Sequence, residues 1–110
     1  MSEKNRREHF RIVLRSSKCI VEGKERQLQV TINDLSVGGF SFVSPFDVFK
    51  GVVSVSFSLG GEMFNRQAEI LRKYENENGS VTYAAKFIDY TDRERARLNS
   101  RIMQLDAQRW

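Results

Sequence analysis

Three arginines near the start of the chain are the side chains best suited to hold a phosphate or a purine edge. Arg6, Arg7 and Arg11 fall within six residues, and Arg7 and Arg11 have the spacing R-x-x-x-R. A guanidinium presents its donors as a planar fork, which can meet a phosphate or the O6 and N7 atoms of guanine through two hydrogen bonds, whereas lysine offers a point charge. The chain has 12 arginines, however, so the spacing alone identifies nothing. It recurs at Arg11/Arg15, Arg93/Arg97 and Arg97/Arg101.

A second group of polar and small residues has the form D-x-S-x-x-G and occurs once, with Asp34, Ser36 and Gly39 in the named positions. The Asp34 carboxylate can accept hydrogen bonds from guanine N1–H and N2–H, and the Ser36 hydroxyl can donate and accept. Gly38 and Gly39 permit a positive φ and let backbone N–H groups approach a ligand closely. By itself the segment is typical of an Asx turn between two strands.

Catalytic and metal chemistry are disfavoured by the residues available. The chain has one histidine, His9, and one cysteine, Cys19, so it cannot form an intramolecular disulfide or a Cys/His zinc cluster. Cys19 follows Lys18, which could activate a thiol, but it also begins an apolar run, which favours a small buried residue. The sequence therefore predicts neither an enzyme nor a metal site.

The charge of the chain is concentrated at its beginning. The formal net charge is +4, and residues 1–18 alone hold six basic and two acidic residues, so the remaining 92 residues hold 12 of each. This distribution indicates a basic arm on a neutral body, which could be either a general polyanion-binding tail or part of a specific site. No apolar run is long enough to span a membrane, and the first residues lack the apolar region of a signal peptide. We expect a soluble cytoplasmic protein.

Alternating apolar and polar residues predict a succession of strands after this arm. Leu28, Val30 and Ile32 alternate with polar neighbours at period two, which buries one face of a strand. Further strands are predicted at 12–15, 19–21, 40–43, 53–59, 62–74 and 81–88. Breaks or turns are predicted at 16–17, 33–39, 60–61 and 75–79. Six or seven successive strands with no helix between them indicate an antiparallel sheet.

The chain is predicted to end in a helix over about residues 91–108. Thr91 and Glu94 have the Ser/Thr-x-x-Glu spacing of a capping box. Leu98, Ile102 and Leu105 follow one face of this helix, and we expect that face to pack on the sheet. No repeat or linker indicates a second domain.

An arginine arm followed by strands and a D-x-S-x-x-G segment resembles the PilZ domain. Arg7 and Arg11 match the RxxxR motif of that family, and Asp34, Ser36 and Gly39 match its [D/N]xSxxG motif. The resemblance implies an all-β fold with one terminal helix: an N-terminal ligand-clamping arm at residues 1–11, then a six-stranded antiparallel β-barrel with its C-terminal helix at 12–110. One departure is Ala84, which lies near the point where family members often have glycine.

The resemblance also implies the ligand, cyclic di-GMP, with no cofactor or metal. The residues predicted to bind it are Arg6, Arg7, Arg11, Asp34, Ser36, Gly38 and Gly39. An arginine directly before RxxxR implies a stacked pair of ligand molecules, so Arg6 is predicted to lie between their bases. The predicted function is a bacterial receptor without turnover, whose arm changes conformation and signals to a protein partner that controls motility, exopolysaccharide or biofilm formation.

Two other functions fit the same sequence. The first is a small β-barrel that binds single-stranded nucleic acid, with the arm on phosphates and Phe40 or Tyr83 stacking on bases. The neutral body of the chain argues against this function. The second is a PilZ-like adaptor that binds a protein and no nucleotide. The presence of both motifs makes this adaptor the weaker alternative.

Overall fold

The computed structural model describes residues 11–108 as a closed barrel of six antiparallel strands followed by one helix. The strands are β1 (Arg11–Glu22), β2 (Gln27–Ser36), β3 (Gly39–Ser44), β4 (Val52–Leu59), β5 (Glu62–Glu75) and β6 (Val81–Ile88), and the helix is α1 (Asp92–Gln108). The order around the barrel is β1-β2-β3-β6-β5-β4. The predicted fold class, an antiparallel β-barrel with one terminal helix, is confirmed.

Two strands are longer than the sequence pattern predicts. The break expected at Ser16 and Ser17 lies inside β1, where the pairing with β2 shifts register between Val13 and Ser17. The turn expected over 33–39 is also mostly strand, because β2 continues to Ser36 and β3 begins at Gly39. Both strands tolerate these polar residues because register shifts let a strand bend around a barrel without ending.

A column of aromatic rings fills the barrel. Phe42 stacks on Tyr83 with ring centroids 4.9 Å apart and on Phe40 at 5.2 Å, and Phe40 in turn stacks on Phe87 at 5.2 Å. Phe57 continues the column at 6.1 Å from Phe87. These rings come from β3, β4 and β6, so the column ties strands that are distant in sequence into one core.

The helix packs on the barrel through the predicted apolar stripe. Leu98 and Ile102 are buried, and Leu105 packs against the core. At the start of the helix, the Thr91 backbone N–H donates to the Glu94 carboxylate over 2.8 Å, and the Glu94 N–H donates to the Thr91 hydroxyl over 3.1 Å. The predicted capping box and the packing of the stripe are therefore confirmed.

Ion pairs hold α1 to the beginning of β5. The carboxylate of Glu62 accepts hydrogen bonds from Arg97 and from Arg101, whose Nη2 lies 2.7 Å away. These bonds, Arg101 foremost, hold the pKa of Glu62 below its ordinary value. The Arg66 side chain donates to the Glu94 carbonyl over 2.9 Å and adds a further link between β5 and α1.

Within residues 11–108, no helix is long and apolar enough to cross a membrane.

The only cysteine of the chain lies in the core. Cys19 is 3% exposed, and burial raises the pKa of its thiol to about 12. At neutral pH the thiol therefore stays protonated, and it is not the activated nucleophile that its neighbour Lys18 could suggest. The prediction of a small buried residue is confirmed.

Candidate functional site

The residues of the D-x-S-x-x-G segment lie together on the outside of the barrel. Asp34, Ser36, Gly38 and Gly39 line a groove of about 720 Å³. Residues of β3, β5 and β6 complete its walls and floor. The groove is thus a surface of four adjacent strands, and it is large enough for a nucleotide-sized ligand.

Hydrogen bonds within the segment hold its shape. Ser36 is 2% exposed, and its hydroxyl donates to the Gly39 carbonyl and accepts from the Gly38 backbone N–H, both over 3.3 Å. The Gly38 carbonyl accepts a bond from the backbone N–H of Phe87 over 2.9 Å. The short connection between β2 and β3 is therefore held by hydrogen bonds within the segment and by one hydrogen bond to β6, so the barrel fixes its position.

Gly39 is required by the packing of two strands. The positive φ that glycine permits is not used at this position. A Cβ at Gly39 would instead lie 2.3 Å from the Ala85 carbonyl oxygen and 3.1 Å from the Lys86 Cα. The structure thus shows a close approach of β3 to the backbone of β6 at Gly39, while the predicted approach of a ligand to this backbone stays a prediction.

Asp34 is positioned by the neighbouring strand. Its carboxylate is half-buried and accepts a hydrogen bond from the Ser41 hydroxyl over 3.1 Å. Asp34 and Ser41 are also backbone partners across β2 and β3. The register of this strand pair therefore fixes where the carboxylate lies at the edge of the groove.

Arg11, the last arginine of the R-x-x-x-R motif, begins β1 beside this segment. The backbone of Arg11, the first residue of β1, is paired with that of Ser36, and Val13 is paired with Asp34. Arg6, Arg7 and the side chain of Arg11 lie outside the described part of the structure. The strand register places the backbone of Arg11, the last residue of the R-x-x-x-R motif, beside a segment that lies 23 or more residues later in the chain.

The far wall of the groove contains residues that sequence reasoning missed. Leu71, Arg72 and Tyr74 on β5 line it, and Ala84 on β6 lies in its floor. The strand pattern of 62–74 could have drawn attention to Leu71, because a large apolar side chain there breaks the alternation. That β5 lies next to β6, and therefore beside the D-x-S-x-x-G segment, is a property of the barrel order.

The aromatic residues proposed to stack on bases in a nucleic-acid-binding barrel are buried. Phe40 is 3% exposed and Tyr83 is fully buried. The Tyr83 hydroxyl accepts from the Phe49 backbone N–H over 3.2 Å and donates to the Asp47 carboxylate over 3.1 Å. The prediction that these rings contact bases is therefore wrong, because both side chains point into the barrel.

The sequence matches the family model for the PilZ domain over residues 5–104. The chain belongs to the PilZ domain family. Both of its motifs fall within the matched part, and the barrel with a C-terminal helix agrees with the earlier resemblance. No curated protein matches the sequence.

Solved structures share this PilZ fold at low sequence identity. The Bacillus subtilis inhibitor of motility (MotI/DgrA) matches with a TM-score of 0.78 and 12% identity, over 96% of this chain and 53% of that chain. Escherichia coli YcgR in complex with c-di-GMP matches with a TM-score of 0.74 and 18% identity, over 94% and 47%. The PilZ domain of YcgR with c-di-GMP matches with a TM-score of 0.70 and 19% identity, over 94% and 93%. The chain thus spans about half the length of the first two proteins and nearly all of the isolated domain.

Proposed function

We propose that this PilZ domain is a receptor for cyclic di-GMP that binds the nucleotide without turnover. The observation that supports the proposal is the backbone pairing of Arg11 with Ser36, which puts the backbone of Arg11 beside the segment whose Asp34 and Gly39 line the groove. Structures of E. coli YcgR with this nucleotide, which share the fold, support the choice of ligand.

The chemistry of the ligand suits the residues at the groove. Cyclic di-GMP has two guanines and two phosphates on one ring. The forks of Arg7 and Arg11 would donate to a phosphate or to guanine O6 and N7, while Asp34 would accept from N1–H and N2–H. The backbone of Gly38 and Gly39, held by Ser36, would form the surface under the ligand.

Arg6 is proposed to raise the number of ligands bound. Its planar guanidinium can lie between two purine faces, which would let the domain hold two stacked molecules of cyclic di-GMP. Arg6→Ala should therefore lower the stoichiometry from two ligands to one while one site remains. A wild-type stoichiometry of one would contradict this role.

The signal is proposed to pass through the arm. Residues 1–11 would take a different conformation when the ligand is bound, and differential affinity of the ligand for that conformation would drive the change. A protein partner that acts on motility, exopolysaccharide or biofilm formation would read it. The likeness to the inhibitor of motility from B. subtilis supports a motility-related output.

Isothermal titration of the whole chain with cyclic di-GMP tests the proposal. Arg7→Ala and Arg11→Ala should each weaken binding by about 2–5 kcal/mol, because a charged bidentate contact is lost. Arg93→Ala is the matched control, since Arg93 begins the same R-x-x-x-R spacing but is exposed on α1, outside the groove. Equal affinity of the two arm variants and wild type would overturn the proposed role of the arm.

The same titration separates the alternatives. A receptor should prefer cyclic di-GMP to GTP and to single-stranded RNA, with a modest dependence on salt. A nucleic-acid-binding module would bind any polynucleotide with a steep salt dependence. A wild-type protein that binds none of these ligands would favour the adaptor.

A further inference from the structure

Strand β5 has a one-residue bulge where it borders the groove. Ile70 pairs with Ala85 and Arg72 pairs with Ala84, so Leu71 is left without a partner on β6. The bulge turns the Leu71 side chain outward, and this leucine is 54% exposed. A large apolar side chain is therefore presented to the groove by a local departure from regular pairing.

Arg72, directly after the bulge, lies across the groove from Asp34. Asp34 pairs with Ser41, Ser41 with Ala84, and Ala84 with Arg72, so the four residues form one row across β2, β3, β6 and β5. Neighbouring strands lie about 4.8 Å apart, so the two ends of the row are roughly 14 Å apart along the sheet. A ligand that contacts Asp34 must extend across the sheet to reach Arg72.

The Arg72 side chain is already oriented. Its Nε donates to the Tyr74 hydroxyl over 2.7 Å, two residues along the same face of β5. Among residues 11–108, no carboxylate forms an ion pair with Arg72. The two Nη nitrogens can therefore donate a pair of hydrogen bonds to a ligand. The neighbouring groove residue, Ala84, has a small side chain that leaves space for that ligand.

We propose that the far half of the groove is a guanine-binding subsite. A guanine base lies against Leu71 and Ala84, and the two Nη groups of Arg72 donate to its O6 and N7. Tyr74 is a positioning residue that holds the guanidinium through Nε. This inference rests on the proposed function, since it assigns the second base of cyclic di-GMP to residues outside both sequence motifs.

The arrangement distinguishes guanine from adenine. Adenine carries an amino donor where guanine has the O6 acceptor, so the Arg72 fork would meet a donor and lose one bond. A contact between Arg72 and phosphate would make no such distinction, because cyclic di-GMP and the mixed cyclic GMP–AMP, in which adenine replaces one guanine, have the same two phosphates. Base preference is therefore the property that Arg72 should control.

The experiment is isothermal titration of the whole chain with cyclic di-GMP and with the mixed cyclic GMP–AMP. Wild type should prefer cyclic di-GMP by about 10-fold, the effect of one bidentate contact to guanine. Arg72→Ala should weaken binding of cyclic di-GMP by about that factor and bind the two ligands almost equally. Tyr74→Phe should give a smaller change in the same direction. Arg26→Ala, an exposed arginine outside the groove, should match wild type.

The outcomes separate this inference from the proposed function. A wild-type protein that binds neither ligand overturns the proposed function and the subsite with it. If wild type binds and Arg72→Ala keeps the same affinity and preference, only the subsite is overturned. If Arg72→Ala weakens both ligands equally, with an unchanged melting temperature, Arg72 contacts phosphate and the guanine subsite is also overturned.

Discussion

Replacing Gly39 with alanine tests whether the approach of β3 to β6 sets the shape of the groove. The added Cβ would lie 2.3 Å from the Ala85 carbonyl oxygen. A close carbon–oxygen contact is about 3.3 Å, so the Cβ would be too near by roughly 1 Å. The obstacle is backbone that is paired with β3 and β5, so it cannot move aside like a flexible side chain. The end of β3 must therefore separate from β6.

The expected cost follows from the bonds that this separation breaks. The pairing of Gly39 with Lys86 and the bond from the Phe87 N–H to the Gly38 carbonyl would be lost, at about 1 kcal/mol for each of two or three hydrogen bonds. Alanine would recover about 0.4–1 kcal/mol by restricting the unfolded chain. The net loss is about 2 kcal/mol, which corresponds to a fall of about 8–16 °C in melting temperature.

Urea and thermal unfolding of Gly39→Ala measure this cost, and amide hydrogen exchange locates it. The Phe87 amide should exchange faster in the variant than in wild type. Gly79→Ala is the control, because Gly79 has a φ of +92° and no atom within 4 Å of its Cβ position. It should lose about 1 kcal/mol from backbone strain and leave exchange at Phe87 unchanged. A Gly39→Ala protein as stable as wild type, or more stable, would refute the reasoning.

Two further predictions concern charge and burial. Glu62→Gln should lower the urea midpoint at pH 7 by removing the ion pairs to α1. The folded protein lowers the pKa of Glu62 below its ordinary value of 4.5. The contribution of Glu62 is therefore present at higher pH and is lost as the pH falls through the folded pKa, so the two midpoints should converge in acid well below pH 4.5. Cys19 should resist iodoacetamide at about pH 8 in the native protein and react once urea unfolds it, as followed by mass spectrometry. Rapid native labelling would contradict the burial of the thiol.

The strands and the helix were predictable because their signals are local. Alternation at period two places Val30 and Ile32 in the core, and the capping box at Thr91 marks the start of α1. The continuity of β1 and the end of β2 were not predictable, because Ser17 and Asp34 are typical of turns when read alone. In the barrel they remain in strands, since the shifts of register beside them absorb the bend.

The two motifs were predictable as residue types, and their roles only in part. Asp34 lines the groove, and its predicted contact with the ligand stays a prediction. Gly39 is required by the β6 backbone, where Ala85 lies 46 positions later in the chain. The burial of Phe40 and Tyr83 was missed for the same reason. Which face of a strand points inward depends on the partner strands as well as on its own pattern.

The sequence by itself determined the membership of the PilZ family, the antiparallel strands, the helix and the presence of an arginine arm with a D-x-S-x-x-G segment. These properties depend on residue types and on spacings of a few residues. Tertiary structure alone decided that Arg11 lies opposite Ser36 and that the bulge at Leu71 places Arg72 across the groove from Asp34. The physical reason is that closing the barrel sets the order and register of the strands. The paired residues lie far apart along the chain, so no short stretch of sequence reveals which residues will pair.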